Sequence, residues 1–110
     1  MMYQRWQKRD PVKYYFMVPN EVFSLGLNSS ELSIYSYLLR CEDRKTYQCH
    51  PSYRTIGSAV DLSENTVRKY VSSLEEKGLI HAESSRITTR DGRVRKGSLI
   101  YTIRPVQEAV

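Results

Sequence analysis

Hydrophobic residues recur at helical spacing through the middle of the chain. The first apolar stripe follows the spacing i, i+3, i+6 and i+7 and consists of Leu32, Tyr35, Leu38 and Leu39. This pattern predicts a helix that is capped by Ser29 or Ser30 and ends near Cys41. Ile34 and Tyr37 widen the stripe, so we expect most of the helix surface to be buried.

Shorter helices are predicted on both sides of this one. A Pro near the start and a Gly at the end indicate a short helix between Pro19 and Gly26. After a polar connection over residues 42–51, Ser52 can cap one helix and, beyond a tight turn, Ser63 can cap the next. Their apolar positions are Ile56, Ala59 and Val60 in the first and Val67, Val71 and Leu74 in the second.

The hydrophobic period changes after Gly78, which is expected to end the last helix in the left-handed conformation. Residues 79–83 and 98–103 have the composition of strands. Asp91 and Gly92 lie between them, in a basic segment that can turn. The predicted order is three or four helices followed by a β-hairpin, which is an α+β fold.

Length and composition fit one small domain. The chain has 110 residues, of which 40% are hydrophobic, enough for a single core but not for a large two-lobed enzyme. The longest stretch without a charged residue, residues 22–30, is too short to span a membrane. The N-terminus lacks the apolar core of a secretory signal, so Cys41 and Cys49 are expected as reduced thiols and the protein as cytoplasmic.

The positive charge lies mainly at the two ends. The formal net charge is +5, with four basic residues against one acid in residues 1–18 and six against three in residues 79–110. We expect a basic N-terminal arm over residues 1–15, a domain over 16–104 and a short tail over 105–110. Two basic ends around a neutral body suit a surface that binds phosphates, although a solvated surface would have the same composition.

The segment over residues 52–80 carries the most specific signal. Its distinctive part reads Ser-x-x-Thr-Val-Arg-Lys over residues 63–69 and Leu-Glu-Glu-Lys-Gly-Leu-Ile over residues 74–80. This segment resembles the helix-turn-helix of GntR-type bacterial regulators and, more closely, the winged-helix domains of replication initiators and accessory proteins of plasmids, phages and conjugative elements. The resemblance covers residues 16–104. It implies a winged helix-turn-helix with a three-helix core, a short extra N-terminal helix and a C-terminal β-hairpin wing.

The helix that begins after Ser63 is the predicted recognition helix. At 100° per residue, its apolar positions face the core and leave a polar stripe toward solvent. The candidate DNA-binding residues on this helix are Ser63, Asn65, Thr66, Arg68, Lys69, Ser72 and Ser73. Asn can pair with adenine, Arg or Lys with guanine, and Thr with a thymine methyl group or a phosphate. An ordinary amphipathic helix would also have a polar outer face.

Three other segments are candidate contacts to DNA, the preceding helix to phosphates and the wing to the backbone or the minor groove. The preceding helix offers Ser52, Tyr53 and Arg54, and the hairpin offers a wing with Arg90, Arg93, Arg95 and Lys96. The N-terminal arm adds Arg5, Trp6, Lys8 and Arg9. Charges at a hairpin tip also protect edge strands from aggregation, which is the structural alternative for the wing.

Other chemistries have little support in the sequence. Four residues could ligate zinc in principle, namely Cys41, Cys49, His50 and His81, but their spacing matches no common zinc module. No third group is suggested to orient a nucleophile, and no Gly-rich phosphate loop is present. We therefore expect no enzymatic activity, no cofactor and no metal.

The aromatic residues favour core packing. Tyr35, Tyr37, Tyr70 and Tyr101 stand at core positions, where their hydroxyl groups are expected near the surface. A second group, Tyr14, Tyr15, Phe16 and Tyr47, could instead form an exposed patch for self-association or for stacking on single-stranded nucleic acid.

The sequence thus predicts a double-stranded DNA-binding protein that regulates transcription, replication or transfer on a bacterial mobile element. A winged-helix module that binds a replication or transcription protein is the main alternative, and a binder of single strands is the third. A homodimer would suit a symmetric DNA site. No dedicated dimer element is visible in the sequence.

Overall fold

The computed structural model describes residues 15–88, 90–92 and 94–105. Most of the predicted N-terminal arm and tail, with Arg5, Trp6, Lys8 and Arg9, lies outside this range, so the domain division remains a prediction. A 3₁₀ helix comes first, and the elements in chain order are Asn20–Ser24, α1 (Ser29–Cys41), β1 (Gln48–Cys49), α2 (Tyr53–Val60), α3 (Glu64–Glu76), β2 (Ile80–Thr88) and β3 (Val94–Ile103). The fold is α+β, as predicted.

The first long helix is capped one residue earlier than the sequence suggested. Asn28, and not Ser29 or Ser30, is the N-cap of α1. Its side-chain oxygen accepts a hydrogen bond of 2.8 Å from the backbone N–H of Glu31, and the Glu31 carboxylate accepts one of 3.1 Å from the backbone N–H of Asn28. This reciprocal capping box satisfies two backbone donors at once.

The buried face of α1 is centred on Ile34, Tyr35 and Leu38, which have no exposed surface. Leu32 and Leu39, the outer members of the predicted stripe, are only half-buried against the core. The predicted apolar stripe therefore lies on the correct side of α1. The centre of the buried face falls between the two outer predicted positions, Leu32 and Leu39.

The two following helices form a helix-turn-helix with the predicted caps. Ser52 Oγ accepts from the Thr55 backbone N–H at 3.0 Å, and Ser63 Oγ accepts from the Thr66 backbone N–H at 3.2 Å. Asp61 ends α2 in the left-handed conformation, with φ 60°. These local hydrogen bonds fix both ends of the turn.

Gly57 determines how closely the turn folds back on α2. Its carbonyl accepts the backbone N–H of Leu62 at 2.9 Å, and a Cβ atom at position 57 would collide with the Leu62 carbonyl oxygen. Only glycine leaves room for this approach. The turn therefore sets the start of α3 against α2.

The last helix ends as predicted, and the hairpin follows directly. Gly78 has a φ of 76°, and the backbone N–H of Leu79 donates to the Leu74 carbonyl at 3.1 Å. Such a left-handed glycine satisfies the last carbonyl groups of a helix. The hairpin strands are longer than the two predicted segments, with a bulge between Ser84 and Arg86.

The sheet contains one strand that the sequence did not indicate. β1 pairs antiparallel with β3, with Gln48 opposite Thr102, and the strand order is β1-β3-β2. Residues 42–51 were predicted to be a connection because they are polar and end in Pro51. A strand of two residues has no pattern of its own and forms only because β3 offers a free edge.

A single core joins the helices to the sheet. Val67, Val71 and Leu74 of α3 pack with Ile56 of α2 and with residues of α1, and Leu79, Ile80, Tyr101 and Ile103 complete the core from the sheet. Ala59, a predicted apolar position of α2, is exposed. Within the described ranges, the helices are too short or too polar to cross a bilayer.

Candidate nucleic-acid interface

The outer face of α3 is polar because its inner face is held in the core. Val67, Val71 and Leu74 are at most 1% exposed, which fixes the rotation of the helix about its axis. Four of the predicted DNA-binding residues within α3 are exposed as a result, namely Asn65, Arg68, Lys69 and Ser72. Together they give one continuous face with amide, guanidinium, ammonium and hydroxyl groups, all of which can donate hydrogen bonds.

The hydroxyl groups at the start of α3 are engaged in the cap. Ser63 Oγ and Thr66 Oγ1 lie 2.8 Å apart and share a hydrogen bond, and Ser63 Oγ also accepts from the Thr66 backbone N–H. Ser63 is exposed and Thr66 is half-buried. These two predicted contacts therefore hold the helix start in place, and each keeps one side toward solvent.

Arg68 crosses from α3 to the preceding helix. Its guanidinium carbon lies 5.4 Å from the centroid of the Tyr53 ring in the first turn of α2, within the range of a cation–π contact. Lys69 Nζ lies 5.3 Å from the centroid of the neighbouring Tyr70 ring. Both basic side chains thus lie against aromatic rings.

The three predicted residues at the start of α2 stand close to this face. Ser52 is the exposed N-cap, Arg54 is exposed, and Tyr53 is half-buried with Arg68 against its ring. The contact between Tyr53 and Arg68 joins the start of α2 to the outer face of α3. The start of α2 and the outer face of α3 therefore form one continuous polar surface.

Ser73 does not belong to the exposed face. It was predicted to point outward, but the structure directs its side chain toward α1. Its hydroxyl donates to Glu31 Oε2 at 2.7 Å. Its neighbour Ser72 remains exposed, so the boundary between the two faces of α3 runs between these serines.

Glu31 is a buried residue beside the candidate interface that the sequence did not indicate. It is 3% exposed, and Lys77 Nζ donates to both of its carboxylate oxygens, at 3.0 Å and 2.8 Å. Burial raises the pKa of Glu31, but hydrogen bonds from Lys77, Ser73 and Asn28 outweigh this effect and hold the pKa below its ordinary value. The signal that could have identified it is the Asn-x-x-Glu capping box at residues 28–31.

Among the predicted wing residues, the structure describes one exposed side chain. Arg90 is exposed beside the turn in which Gly92 has a φ of 79°. Arg93 lies outside the described residues. Arg95 and Lys96 lie on β3, opposite Ile87 and Arg86 of β2, which places their backbones in the hairpin.

The cysteine and histidine residues form no evident metal site. Among residues 15–88, 90–92 and 94–105, no three His, Cys, Asp or Glu side chains are grouped as metal ligands. Cys49 Sγ donates to the Leu38 carbonyl at 3.6 Å, and burial raises its pKa to about 12. His81 faces Glu83 on β2, with a distance of 3.7 Å between Nε2 and Oε2.

An apolar groove lies outside this polar surface. It has a volume of about 550 Å³ and lies between the end of α1 and the end of β3, with Leu39, Tyr47, Ile103 and Pro105 in its walls. Large apolar side chains are also exposed at Phe16, Met17 and Phe23. These features could support contacts to another protein.

The helices, the tight turn and the hairpin define a winged helix-turn-helix fold. A family model described as a helix-turn-helix domain matches residues 25–80, which span α1, α2 and α3. The chain belongs to this helix-turn-helix family.

The chain is also similar in structure to a protein described as a possible transcriptional regulator from Methanosarcina mazei Go1, with a TM-score of 0.51 and 21% sequence identity. The match covers 78% of this chain and 63% of that chain, so this chain spans less than two thirds of its neighbour's length. A search of curated protein sequences gives no match.

Proposed function

We propose that the protein binds double-stranded DNA in a sequence-specific manner and regulates transcription, without enzymatic activity. The observation that carries this proposal is the exposed face of α3, where Asn65, Arg68, Lys69 and Ser72 stand together after a tight turn. A helix of this kind fits the major groove and can contact base edges from its first turns.

The remaining residues of the surface suit phosphate contacts. Arg54 at the start of α2 and Arg90 at the hairpin turn are exposed, and Ser52 caps a helix N-terminus, where backbone N–H groups favour anions. Contacts of this kind fix the position of the protein on the duplex, and α3 supplies the selectivity.

We extend the proposal to control of replication, transfer or transcription on a bacterial mobile element. This part rests on the resemblance of residues 63–80 to the winged-helix domains of replication initiators and to GntR-type regulators. A homodimer would read two half-sites of a symmetric target.

The first test is a titration of labelled duplex and of its two separated strands at several salt concentrations. We expect the duplex to bind more tightly than either strand, and the logarithm of affinity to fall linearly with the logarithm of salt concentration because phosphate contacts release counterions. Arg54→Ala and Arg90→Ala should each make this dependence less steep. Tighter binding of single strands would contradict the proposal.

A second candidate function is that of a protein-interaction module. The groove beside Tyr47 and the exposed side chains of Phe16, Met17 and Phe23 favour it, because large apolar groups at a surface often mark contact sites. This function predicts no duplex binding beyond that of a generic basic protein. Enrichment of a sequence motif from a random library of duplexes at about 150 mM salt, where purely electrostatic binding is weak, therefore separates the two candidates.

A further inference from the structure

The far end of α3 is held by a partly buried ionic cluster, with a buried Glu31 and a half-buried Lys77, that lies away from its exposed face. Glu31 in the first turn of α1 accepts hydrogen bonds from Ser73 Oγ at 2.7 Å and from Lys77 Nζ at 2.8 Å. Lys77 Nζ also reaches the Gly26 carbonyl oxygen at 3.3 Å. The Glu31 carboxylate therefore joins the start of α1 to the end of α3, and Lys77 links this pair to Gly26, which follows the 3₁₀ helix.

The other end of α3 is held by the turn. The Leu62 N–H donates to the Gly57 carbonyl, and Ser63 caps the first turn of the helix. The helix is thus fixed near Ser63 by the turn and near Lys77 by Glu31. Apolar packing between these two points sets the distance of α3 from the core, but aliphatic contacts have little directionality.

Small changes in helix direction matter at the outer face. At 1.5 Å per residue, Ser72 lies roughly 14 Å along the helix from Ser63, so a rotation of about 10° about the turn would move it by roughly 2 Å. Asn65, close to the turn, would move by less than about 1 Å. A displacement of 2 Å is enough to break a hydrogen bond to a base edge.

We propose that Glu31 is a positioning residue for DNA recognition, which sets the direction of α3 through Ser73 and Lys77 without touching DNA itself. This inference rests on the proposed function. It assigns part of the sequence selectivity to a buried carboxylate on the flank of α3, outside its exposed face.

The test compares Glu31→Gln with the wild type on two duplexes. The first is the duplex that the wild type enriches most from a random library at about 150 mM salt, and the second is a scrambled duplex of the same composition. Glu21→Gln, at an exposed position of the 3₁₀ helix, is the control because it changes the net charge by the same amount. All measurements are made well below the unfolding midpoint of each variant.

We expect Glu31→Gln to lose about tenfold or more in affinity for the enriched duplex and to change by less than about twofold on the scrambled one. Glu21→Gln should retain the wild-type ratio between the two duplexes. Ser73→Ala removes one hydrogen bond from the same carboxylate, so it should give an intermediate loss. This variant keeps the test decisive if Glu31→Gln does not fold.

The pattern of lost base preferences provides a second readout. Preferences that disappear in Lys69→Ala should relax in Glu31→Gln, whereas those that disappear in Asn65→Ala should persist, because Asn65 lies close to the turn. A merely structural role for Glu31 would lower stability and leave both sets unchanged in the folded variant.

Two outcomes would contradict the inference, and they can be told apart. Absence of any enriched motif for the wild type would overturn the proposed function, and the positioning role with it. A wild-type motif that folded Glu31→Gln and Ser73→Ala bind with unchanged selectivity would overturn the positioning role alone.

Discussion

The guanidinium of Arg68 lies over the ring of Tyr53, with 5.4 Å between its central carbon and the ring centroid. This contact links the outer face of α3 to the first turn of α2 across the turn between them. Because contact with the ring restricts the side chain, Arg68 should lose less conformational entropy when it binds DNA.

Replacement of Tyr53 by Leu should therefore weaken duplex binding through Arg68. A cation–π contact at an exposed site contributes about 0.5–1 kcal/mol, which corresponds to about a two- to fivefold loss of affinity. Tyr53→Phe keeps the ring and should remain close to wild type. The measurement is fluorescence anisotropy with labelled duplex.

The double variant Arg68→Ala/Tyr53→Leu shows whether the two residues act together. We expect Tyr53→Leu to have little further effect once Arg68 is removed, because the effect of the ring depends on the guanidinium. Strictly additive losses would show that Tyr53 contacts DNA on its own.

Gly57→Ala should destabilise the domain. A Cβ atom at this position would meet the Leu62 carbonyl oxygen, so the turn would have to open or α2 would have to shift. Such overpacking typically costs about 1–3 kcal/mol. The free energy of unfolding in urea measures this cost, and Ser58→Ala, at the exposed neighbouring position, is the control. Equal stability of both variants would show that the turn adapts.

The stabilisation from Glu31 should depend on pH. Its pKa in the folded protein is held below the ordinary value of 4.5 by Lys77, Ser73 and Asn28 despite burial. A lowered folded-state pKa stabilises the protein at a pH above the unfolded-state pKa, and this stabilisation is lost as the pH falls through the folded-state pKa.

Wild type and Glu31→Gln should thus converge in acid. The wild type is expected to be more stable near neutral pH, by about 1–3 kcal/mol, and the difference should shrink as the pH is lowered from about 6 to about 3. Urea unfolding across this range measures it. A difference that stays constant with pH would show that Glu31 contributes through shape and not through charge.

Tyr101→Phe should leave stability unchanged or raise it. The Tyr101 side chain is fully buried, and its hydroxyl finds no hydrogen-bond partner within the described residues. Burial raises the pKa of this phenol well above its ordinary value. An unsatisfied buried hydroxyl is costly, so its removal should not reduce the unfolding temperature. A clear decrease would reveal a partner for this hydroxyl.

The sequence predicted those features of the fold that depend on neighbouring residues. The caps at Ser52 and Ser63, the glycine stop at Gly78 and the burial of Val67 and Val71 are all local, because each follows from residues within about two helical turns. Tyr101 differs, since its hydroxyl was expected near the surface and is buried among residues far apart in the chain.

Features that depend on distant residues were not predictable in this way. Glu31 and Lys77 are 46 residues apart, and no periodicity connects them. β1 consists of only two residues, and it pairs with β3 so that Gln48 lies opposite Thr102. Ser73 lies near the edge of the polar stripe on α3, where only the position of α1 decides which way the side chain points.

In the proposed function, α3 reads base edges in duplex DNA. The most direct test is selection of bound duplexes from a random library at about 150 mM salt, where purely electrostatic binding is weak. Wild type and Asn65→Ala/Lys69→Ala would be compared in parallel, with circular dichroism to verify that both are folded. We expect a motif for the wild type that is lost or relaxed in the variant. A lack of enrichment with either protein, or the same motif with both, would contradict this role for α3.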